Sequence, residues 1–160
     1  MPERRGQRRE ERRGILALQT GQEPIQEVFV VELEVARLVV NERSQDQILT
    51  LRERGGSRSF SLVIGLFEAA ALQFVLDEEI SPRPLTHETL LATLAILDAE
   101  LTGVAIDDVQ DGVYYAKLTV SRGGREHLID ARPSDALTLA LRAEVPIHVS
   151  DRVLRLASGS

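Results

Sequence analysis

Three glycine-containing turns constrain the fold more strongly than any other feature of the chain. The pairs Gly55-Gly56, Asp111-Gly112 and Gly123-Gly124 each separate two stretches of alternating apolar residues. Glycine accepts the positive φ angles of tight hairpin turns, so each pair predicts a hairpin. Because strands joined in this way run antiparallel, we predict an α+β domain with a mainly antiparallel sheet.

The first strand is predicted over residues 28–40, where apolar residues alternate with Glu32 and Glu34. This pattern is typical of a sheet with one solvated face. Arg37 breaks the alternation, which predicts a bulge or bend near that residue. Further strands are predicted in the segments QILTLRE, SFSLVIG, VAIDDV, VYYAKLTV, EHLID and PIHVS.

Two long central helices are predicted between these strands. The first covers residues 66–79 and is apolar nearly all round, which predicts extensive burial. The second covers residues 87–100 and begins after an N-cap at Thr86. Its leucines form one inward-facing stripe, which comprises Leu90, Leu91, Leu94 and Leu97. A third, buried helix is predicted over residues 133–143, and a short C-terminal helix in the segment DRVLRL.

The length of the chain, 160 residues, suits one domain with a hydrophobic core and is too short for two ordinary domains. We predict a flexible arginine-rich N-terminal tail at residues 1–27, a domain at 28–156 and a C-terminal tail at 157–160. The absence of cysteine excludes disulfides and thiolate sites and fits a cytoplasmic protein. No apolar run reaches the roughly 18 residues of a membrane span, so no membrane partner is expected.

Charge is distributed unevenly along the chain. Residues 1–13 contain six arginines and three glutamates, a net charge of +3, so the remaining residues must carry −9 to give the total of −6. Such a basic tail either contacts the phosphates of nucleic acid or is merely solvated. The acidic remainder disfavours a broad groove for duplex nucleic acid, whereas an acidic pocket for a divalent cation stays possible.

The stretch DARPSDALTLALR places charged residues at the start of a predicted buried helix. Asp135 suits the first turn, where a carboxylate accepts free backbone N–H groups and opposes the helix dipole. That role leaves Asp130 and Arg132 at the same junction unexplained. Asp135, Thr138 and Arg142 share one polar stripe, which is either the solvated edge of the helix or the wall of a cleft.

Glu68 and His87 also lie in the first turns of predicted helices. Glu68 either compensates the helix dipole or, if partly buried, needs an arginine or a cation as its partner. His87 shares the leucine stripe, where a histidine is either a hydrogen-bonded structural residue or a catalytic group. His87 and Arg83 reach the carboxylates only if the helix starts converge, and converging helix N-termini would also attract phosphate.

Four sequence blocks carry a family resemblance. VIGLFEAAAL, RPLTHETL, DGVYYAKL and IDARPSDALTLALRAEVPIHV occur in this order, and in them the chain resembles the bifunctional nuclease domain family over residues 28–156. The resemblance implies a compact α+β domain, a homo-oligomer, and an activity that degrades both DNA and RNA. The residues that match the family's motifs are Gly65, Glu68, Ala69, Arg83, Pro84, Thr86, His87, Asp130, Arg132, Pro133, Ser134, Asp135 and Ala136.

The first hypothesis is a metal-assisted nuclease that acts on DNA and RNA. Three carboxylates would hold a Mg²⁺ or Mn²⁺ ion that activates water, namely Glu68, Asp130 and Asp135. His87 would be the general acid or base, because histidine changes its charge near neutral pH. Arg132, together with Arg83, would stabilise the charge that develops on the phosphate.

The second hypothesis is a non-enzymatic domain. In this reading the same charged residues form a buried ion network that fixes how the helices meet the sheet. Function would then lie in oligomer formation, or in binding a small anionic ligand or a partner protein. The hypotheses differ on mutation of Asp135 to Asn, which should lower the melting temperature of a structural network but mainly the activity of a catalytic one.

Overall fold

The structure, a computed structural model, describes residues 30–158, which form seven strands and four helices. In chain order these elements are β1 (Val30–Val39), β2 (Asp46–Glu53), β3 (Ser59–Gly65), α1 (Leu66–Leu76), α2 (Thr86–Ile96), β4 (Ala99–Gln110), β5 (Val113–Arg122), β6 (Arg125–Ala131), α3 (Pro133–Ala143), β7 (Ile147–Ser150) and α4 (Asp151–Ser158).

All seven strands belong to one sheet, in the order β3-β2-β1-β7-β4-β5-β6. Every neighbouring pair is antiparallel except β4 and β7, which run parallel. The last strand therefore lies in the middle of the sheet, where it joins the β1–β3 half to the β4–β6 half. The predicted α+β class and mainly antiparallel sheet are confirmed.

The three predicted glycine turns join β2 to β3, β4 to β5 and β5 to β6. At the β4–β5 turn both Asp111 and Gly112 have positive φ angles, 50° and 79°, as a tight hairpin turn requires. The predicted irregularity in β1 is also present, because its register with β2 shifts between Val35 and Arg37. Local turn chemistry thus accounts for three of the six neighbouring strand pairs in the sheet.

The hydrophobic core lies between one face of the sheet and the helices. Leu49, Leu51 and Leu118 of the strands are at most 5% exposed, and Leu137 of α3 is completely buried. Helix α3 is buried in this core, as predicted, since its residues from Ala136 to Ala140 are all buried. Its start is therefore held in a fixed position relative to the sheet.

Helices α1 and α2 are shorter than predicted. Each has 11 residues, the same length as α3, so they are not the two long helices that the sequence suggested. Glu78 and Asp98 adopt left-handed φ angles of 53° and 54° just after the helices, which cannot continue through such residues. Residues 99 and 100 pair with β5 instead of extending α2.

The two helices are also more exposed than predicted. Only Ala69 and Leu72 of α1 are buried, and no residue of α2 is. Of the predicted leucine stripe, Leu91 and Leu94 pack against the core, whereas Leu90 and Leu97 are exposed. The outer faces of these helices are apolar although no other element of residues 30–158 covers them.

The C-terminal end of the described region is helical. Helix α4 is the predicted short C-terminal helix, and it includes Ala157 and Ser158, which the sequence analysis assigned to a tail. The predicted N-terminal tail at 1–27 and residues 159–160 lie outside the described residues. Within residues 30–158, no helix is long and apolar enough to cross a membrane.

Candidate functional site

The first turns of α1, α2 and α3 meet around one guanidinium group. Arg132, the residue before α3, donates from Nη1 to Glu68 Oε1 of α1 at 2.7 Å. It also donates from Nε to Asp135 Oδ2 at 2.7 Å and from Nη2 to Asp135 Oδ1 at 3.2 Å. His87 Nε2 of α2 lies 3.1 Å from Asp135 Oδ1. We call Glu68, His87, Arg132 and Asp135 the helix-start cluster.

Gly65 allows Glu68 to fold back towards the start of its helix. Gly65 is the N-cap of α1 and has an extended backbone, with φ −73° and ψ 164°. A Cβ atom at this position would overlap Glu68 Oε2. The absence of a side chain at Gly65 therefore leaves the space in which the Glu68 carboxylate sits.

Pro133 accounts for the backbone of Arg132. A residue before proline is excluded from the helical region by a steric clash, and Arg132 has φ −68° and ψ 145°. Pro133 itself fits the first helical position because it has no N–H to satisfy there. Arg132 thus stays outside the helix, with Asp135 three residues later in the first turn and within reach of its side chain.

Asp135 is the electrostatic centre of the cluster. Burial acts to raise its pKa, but the hydrogen bonds from Arg132 and His87 outweigh burial, and the pKa is lowered. The carboxylates of Asp135 and Glu68 in turn raise the pKa of Arg132. Asp135 is therefore ionised at neutral pH and acts only as a hydrogen-bond acceptor.

An ionised Asp135 determines the roles of the two nitrogens of His87. Nε2 must donate to the carboxylate, which leaves Nδ1 as an acceptor in the neutral ring. Among the described residues Nδ1 has no hydrogen-bond partner, and it is not sealed from solvent. His87 therefore presents a free ring nitrogen while its other nitrogen is held.

The four side chains differ in their exposure. Those of His87, Glu68 and Asp135 are 19%, 24% and 32% exposed, whereas that of Arg132 is 64% exposed. The guanidinium of Arg132 is thus the most accessible group of the cluster, whereas the two carboxylates and His87 are mostly buried.

Asp130 does not join the cluster, contrary to its place in the predicted metal site. It lies on β6 opposite Lys117 of β5, and Lys117 Nζ donates to Asp130 Oδ1 at 2.9 Å. Side chains alternate between the two faces of a strand, so Asp130 and the core-packed Ala131 point in opposite directions. No group of three or more His, Asp or Glu side chains in residues 30–158 is arranged to hold a metal ion.

Arg83 also lies apart from the four residues. It is exposed in the connection between α1 and α2, where its backbone N–H faces Ser81 Oγ at 3.4 Å. Its side chain forms no ion pair with any residue that the structure describes. The predicted contribution of Arg83 to phosphate binding has no geometric support in this arrangement.

The sequence analysis assigned no role to Glu88 and Arg142. Arg142 Nη2 of α3 lies 3.1 Å from Glu88 Oε1 of α2, which joins these helices a second time. The polar stripe of α3 that contains Asp135 and Arg142 was the available signal. In the structure this stripe faces α2, which contacts both of these residues.

The part of the chain that contains the helix-start cluster is similar to known proteins. The sequence profile of the bifunctional nuclease domain matches residues 49–160, which include the helix-start cluster. Two proteins of Mycobacterium tuberculosis are similar to the chain, uncharacterized protein MT1877 of strain CDC 1551 and uncharacterized protein Rv1829 of strain H37Rv. Each is 38% identical over 126 residues, or 79% of this chain and 75% of the relative.

Proposed function

The chain belongs to the bifunctional nuclease domain family, and on that premise we propose that it hydrolyses phosphodiester bonds of DNA and RNA at the helix-start cluster. One observation carries the assignment to this cluster. His87 is held by an ionised carboxylate and keeps one nitrogen free, beside an accessible guanidinium. A general acid or base next to a phosphate-binding group is what phosphodiester hydrolysis requires.

Arg132 is the group proposed to bind the scissile phosphate. Its planar fork of donors matches phosphate oxygens, and 64% of its side chain is exposed although two carboxylates hold it. The N-termini of α1, α2 and α3 lie next to it, and their free N–H groups and dipoles also favour an anion. Phosphate binding at this point would orient the reacting bond towards His87.

His87 is the proposed general acid or base. Asp135 orients the ring and would stabilise the imidazolium that forms when Nδ1 takes up a proton. A positioned histidine of this kind contributes about 10²- to 10⁴-fold to a reaction rate. Glu68 has an indirect role, since it holds Arg132 from the side opposite Asp135.

The predicted Mg²⁺ or Mn²⁺ ion does not fit the cluster as it stands. Its proposed ligands Glu68 and Asp135 both accept hydrogen bonds from Arg132, and Asp130 is paired with Lys117. We therefore assign no step to a metal ion. Dependence on Mg²⁺ or Mn²⁺ stays a prediction that the cleavage assay below tests.

Charge limits the substrate to which such a site would bind tightly. The residues after position 13 carry a net charge of −9, so long duplexes would be attracted weakly at physiological salt. Short single strands make fewer phosphate contacts, so weak electrostatic attraction disfavours them less. The arginines of residues 1–13 could add attraction for nucleic acid from outside the described domain.

A second candidate function is non-enzymatic, and the double pairing of Arg132 favours it. An arginine held by two carboxylates at three helix starts is also what a structural ion network looks like. In that case the domain would act as an oligomer that binds a small anionic ligand or a partner protein. Removal of His87 would then leave any activity of the preparation unchanged.

The test is cleavage of labelled single-stranded RNA and DNA by the full chain, with Mg²⁺, Mn²⁺ or EDTA. His87→Ala should lose about 100-fold or more in rate. His127→Ala is the matched control, because His127 is exposed on β6 and should cut as the parent does. Equal rates for all three proteins would show that the helix-start cluster does not perform the reaction.

A further inference from the structure

Helix α3 contacts α2 at two points on one face. Asp135 and Arg142 are seven residues apart, which is about two helical turns, so they lie on the same side of α3. Asp135 contacts His87, and Arg142 contacts Glu88, the next residue of α2. The negative Asp135 of α3 thus faces His87, and the positive Arg142 faces the negative Glu88.

These polar contacts matter because α2 has little apolar anchoring. None of its residues is buried, and only Leu91 and Leu94 pack partly against the core. Both leucines lie beyond the first turn. The position of His87 at the start of α2 therefore depends on contacts made by that turn itself.

Glu88 connects the start of α2 to Arg142. Its Oε2 accepts a hydrogen bond from the backbone N–H of Leu85 at 2.8 Å, which caps the helix. Its Oε1 lies 3.1 Å from Arg142 Nη2. A movement of Arg142 would therefore be passed to the turn that carries His87.

Burial of the Arg142 side chain costs free energy that packing alone does not explain. Only 22% of it is exposed, and its Nε is buried without a hydrogen-bond partner among the described residues. Its guanidinium lies over the ring of Phe74 in α1, 5.8 Å from the centroid. An apolar side chain would fill this space without burying an unsatisfied donor.

We propose that Arg142 is a positioning residue, which holds the first turn of α2 through Glu88 so that His87 stays in contact with Asp135. The proposal rests on the proposed function, since it is the role of His87 that makes the position important. Arg142 itself does not touch the substrate. It acts from two turns along α3, through a residue adjacent to the general acid or base.

The experiment compares Arg142→Met with Arg152→Met in the full chain. Arg152 of α4 also pairs with a carboxylate, that of Asp108 at 2.8 Å, but it has no contact with the cluster and is 62% exposed. Proton–carbon NMR resolves the ring signals of the three histidines, so His127 serves as the internal reference. We expect Arg142→Met to move and broaden the His87 signal alone and to lower the cleavage rate at least tenfold, whereas Arg152→Met changes neither.

Two further variants separate positioning from simple stabilisation. Arg142→Lys should restore part of the rate, and Glu88→Gln, which keeps an acceptor for the Leu85 N–H, should lose part of it. In a His87→Ala background, Arg142→Met should cause no additional loss. An unchanged His87 signal in both Arg142→Met and Glu88→Gln would overturn the proposal. If the parent does not cut nucleic acid, the proposed function fails, but the NMR comparison still tests the positioning.

Discussion

Asp135 has contacts that fit both the proposed catalytic role and a structural role. Its carboxylate accepts two hydrogen bonds from Arg132 and one from His87, so it fixes the relation between two helix starts. The same contacts keep it ionised and give His87 one free nitrogen. The structural and catalytic hypotheses therefore predict the same geometry. They differ in whether Asp135→Asn lowers mainly the melting temperature or mainly the activity.

The contribution of Asp135 to stability should depend on pH in the acid range. Because the pKa of folded Asp135 is lowered, its contribution to stability is complete above the ordinary aspartate pKa of about 3.9 and disappears as the pH falls through the lower folded value. Partial exposure limits this contribution to about 1 kcal/mol. Urea unfolding should thus show Asp135→Asn slightly less stable than the parent at pH 7, with a difference that shrinks as the pH falls below about 3.9. A constant difference across this range would contradict the assignment.

A further prediction concerns Gly65. A methyl group at this position would push away the Glu68 carboxylate, which is the end of a flexible side chain, so Gly65→Ala should still fold normally. Arg132 would lose one of its two partners, and the cleavage rate should fall about tenfold. Gly103→Ala is the control, because its added methyl would meet only an ordinary contact, Pro146 O at 3.7 Å. Equal rates for the two variants would show that Glu68 does not hold Arg132 in a functional position.

Four of the six proposed site residues lie together in the structure, and the other two lie apart from them. The four that lie together could be predicted because each is a polar or charged residue beside apolar sequence at a predicted helix start. They are Glu68, His87, Arg132 and Asp135. Asp130 was misplaced because its direction depends on the register of β6 with β5, which sequence alone does not determine. Arg83 lies in an exposed connection whose course no local pattern specifies.

Helix α3 is held by apolar burial, whereas α2 depends more on polar contacts. Helix α3 is buried in the core, and its pattern predicted both its bounds and its burial. Helix α2 has a similar apolar content but no buried residue, and only its Leu91 and Leu94 pack partly against the core. Amphipathic pattern alone could not show which leucines face the core, since most positions of α2 are apolar.

A matched pair of leucines tests this difference. Leu137 of α3 is fully buried, and Leu137→Ala should lower the free energy of unfolding by about 2–5 kcal/mol through lost contacts and a cavity. Leu90 of α2 is 41% exposed, and Leu90→Ala should cost less than about 1 kcal/mol. Denaturant unfolding of both variants gives the values. Similar losses would mean that α2 is buried in solution, for instance against another protein chain.

At the scale of the whole molecule, the exposed apolar residues bear on the predicted homo-oligomer. Phe67, Ile80 and Ile96, on or next to α1 and α2, are 83%, 92% and 82% exposed. Large apolar side chains on an outer surface frequently mark contacts with another chain. A homo-oligomer stays a prediction, and these side chains support it.

Light scattering on the purified chain tests this prediction. We expect a mass at least twice the 17.7 kDa of the chain, and a shift towards 17.7 kDa in Phe67→Lys. Val113→Lys is the control, because Val113 is 56% exposed at the β4–β5 turn, away from α1 and α2. A parent mass of 17.7 kDa at micromolar concentration would contradict the homo-oligomer, and a shift in both variants would contradict the assigned surface.

The substitution Asp135→Asn distinguishes the proposed catalysis by the helix-start cluster from a purely structural role of the same charges. The measurement is the single-turnover cleavage rate of single-stranded RNA, taken together with the melting temperature of the same preparation. We predict a loss of at least about 100-fold in rate, with a melting temperature only a few degrees below that of the parent. A variant that cuts as fast as the parent, or that loses activity only in proportion to the fraction unfolded, would show that the charges at these helix starts serve the architecture alone.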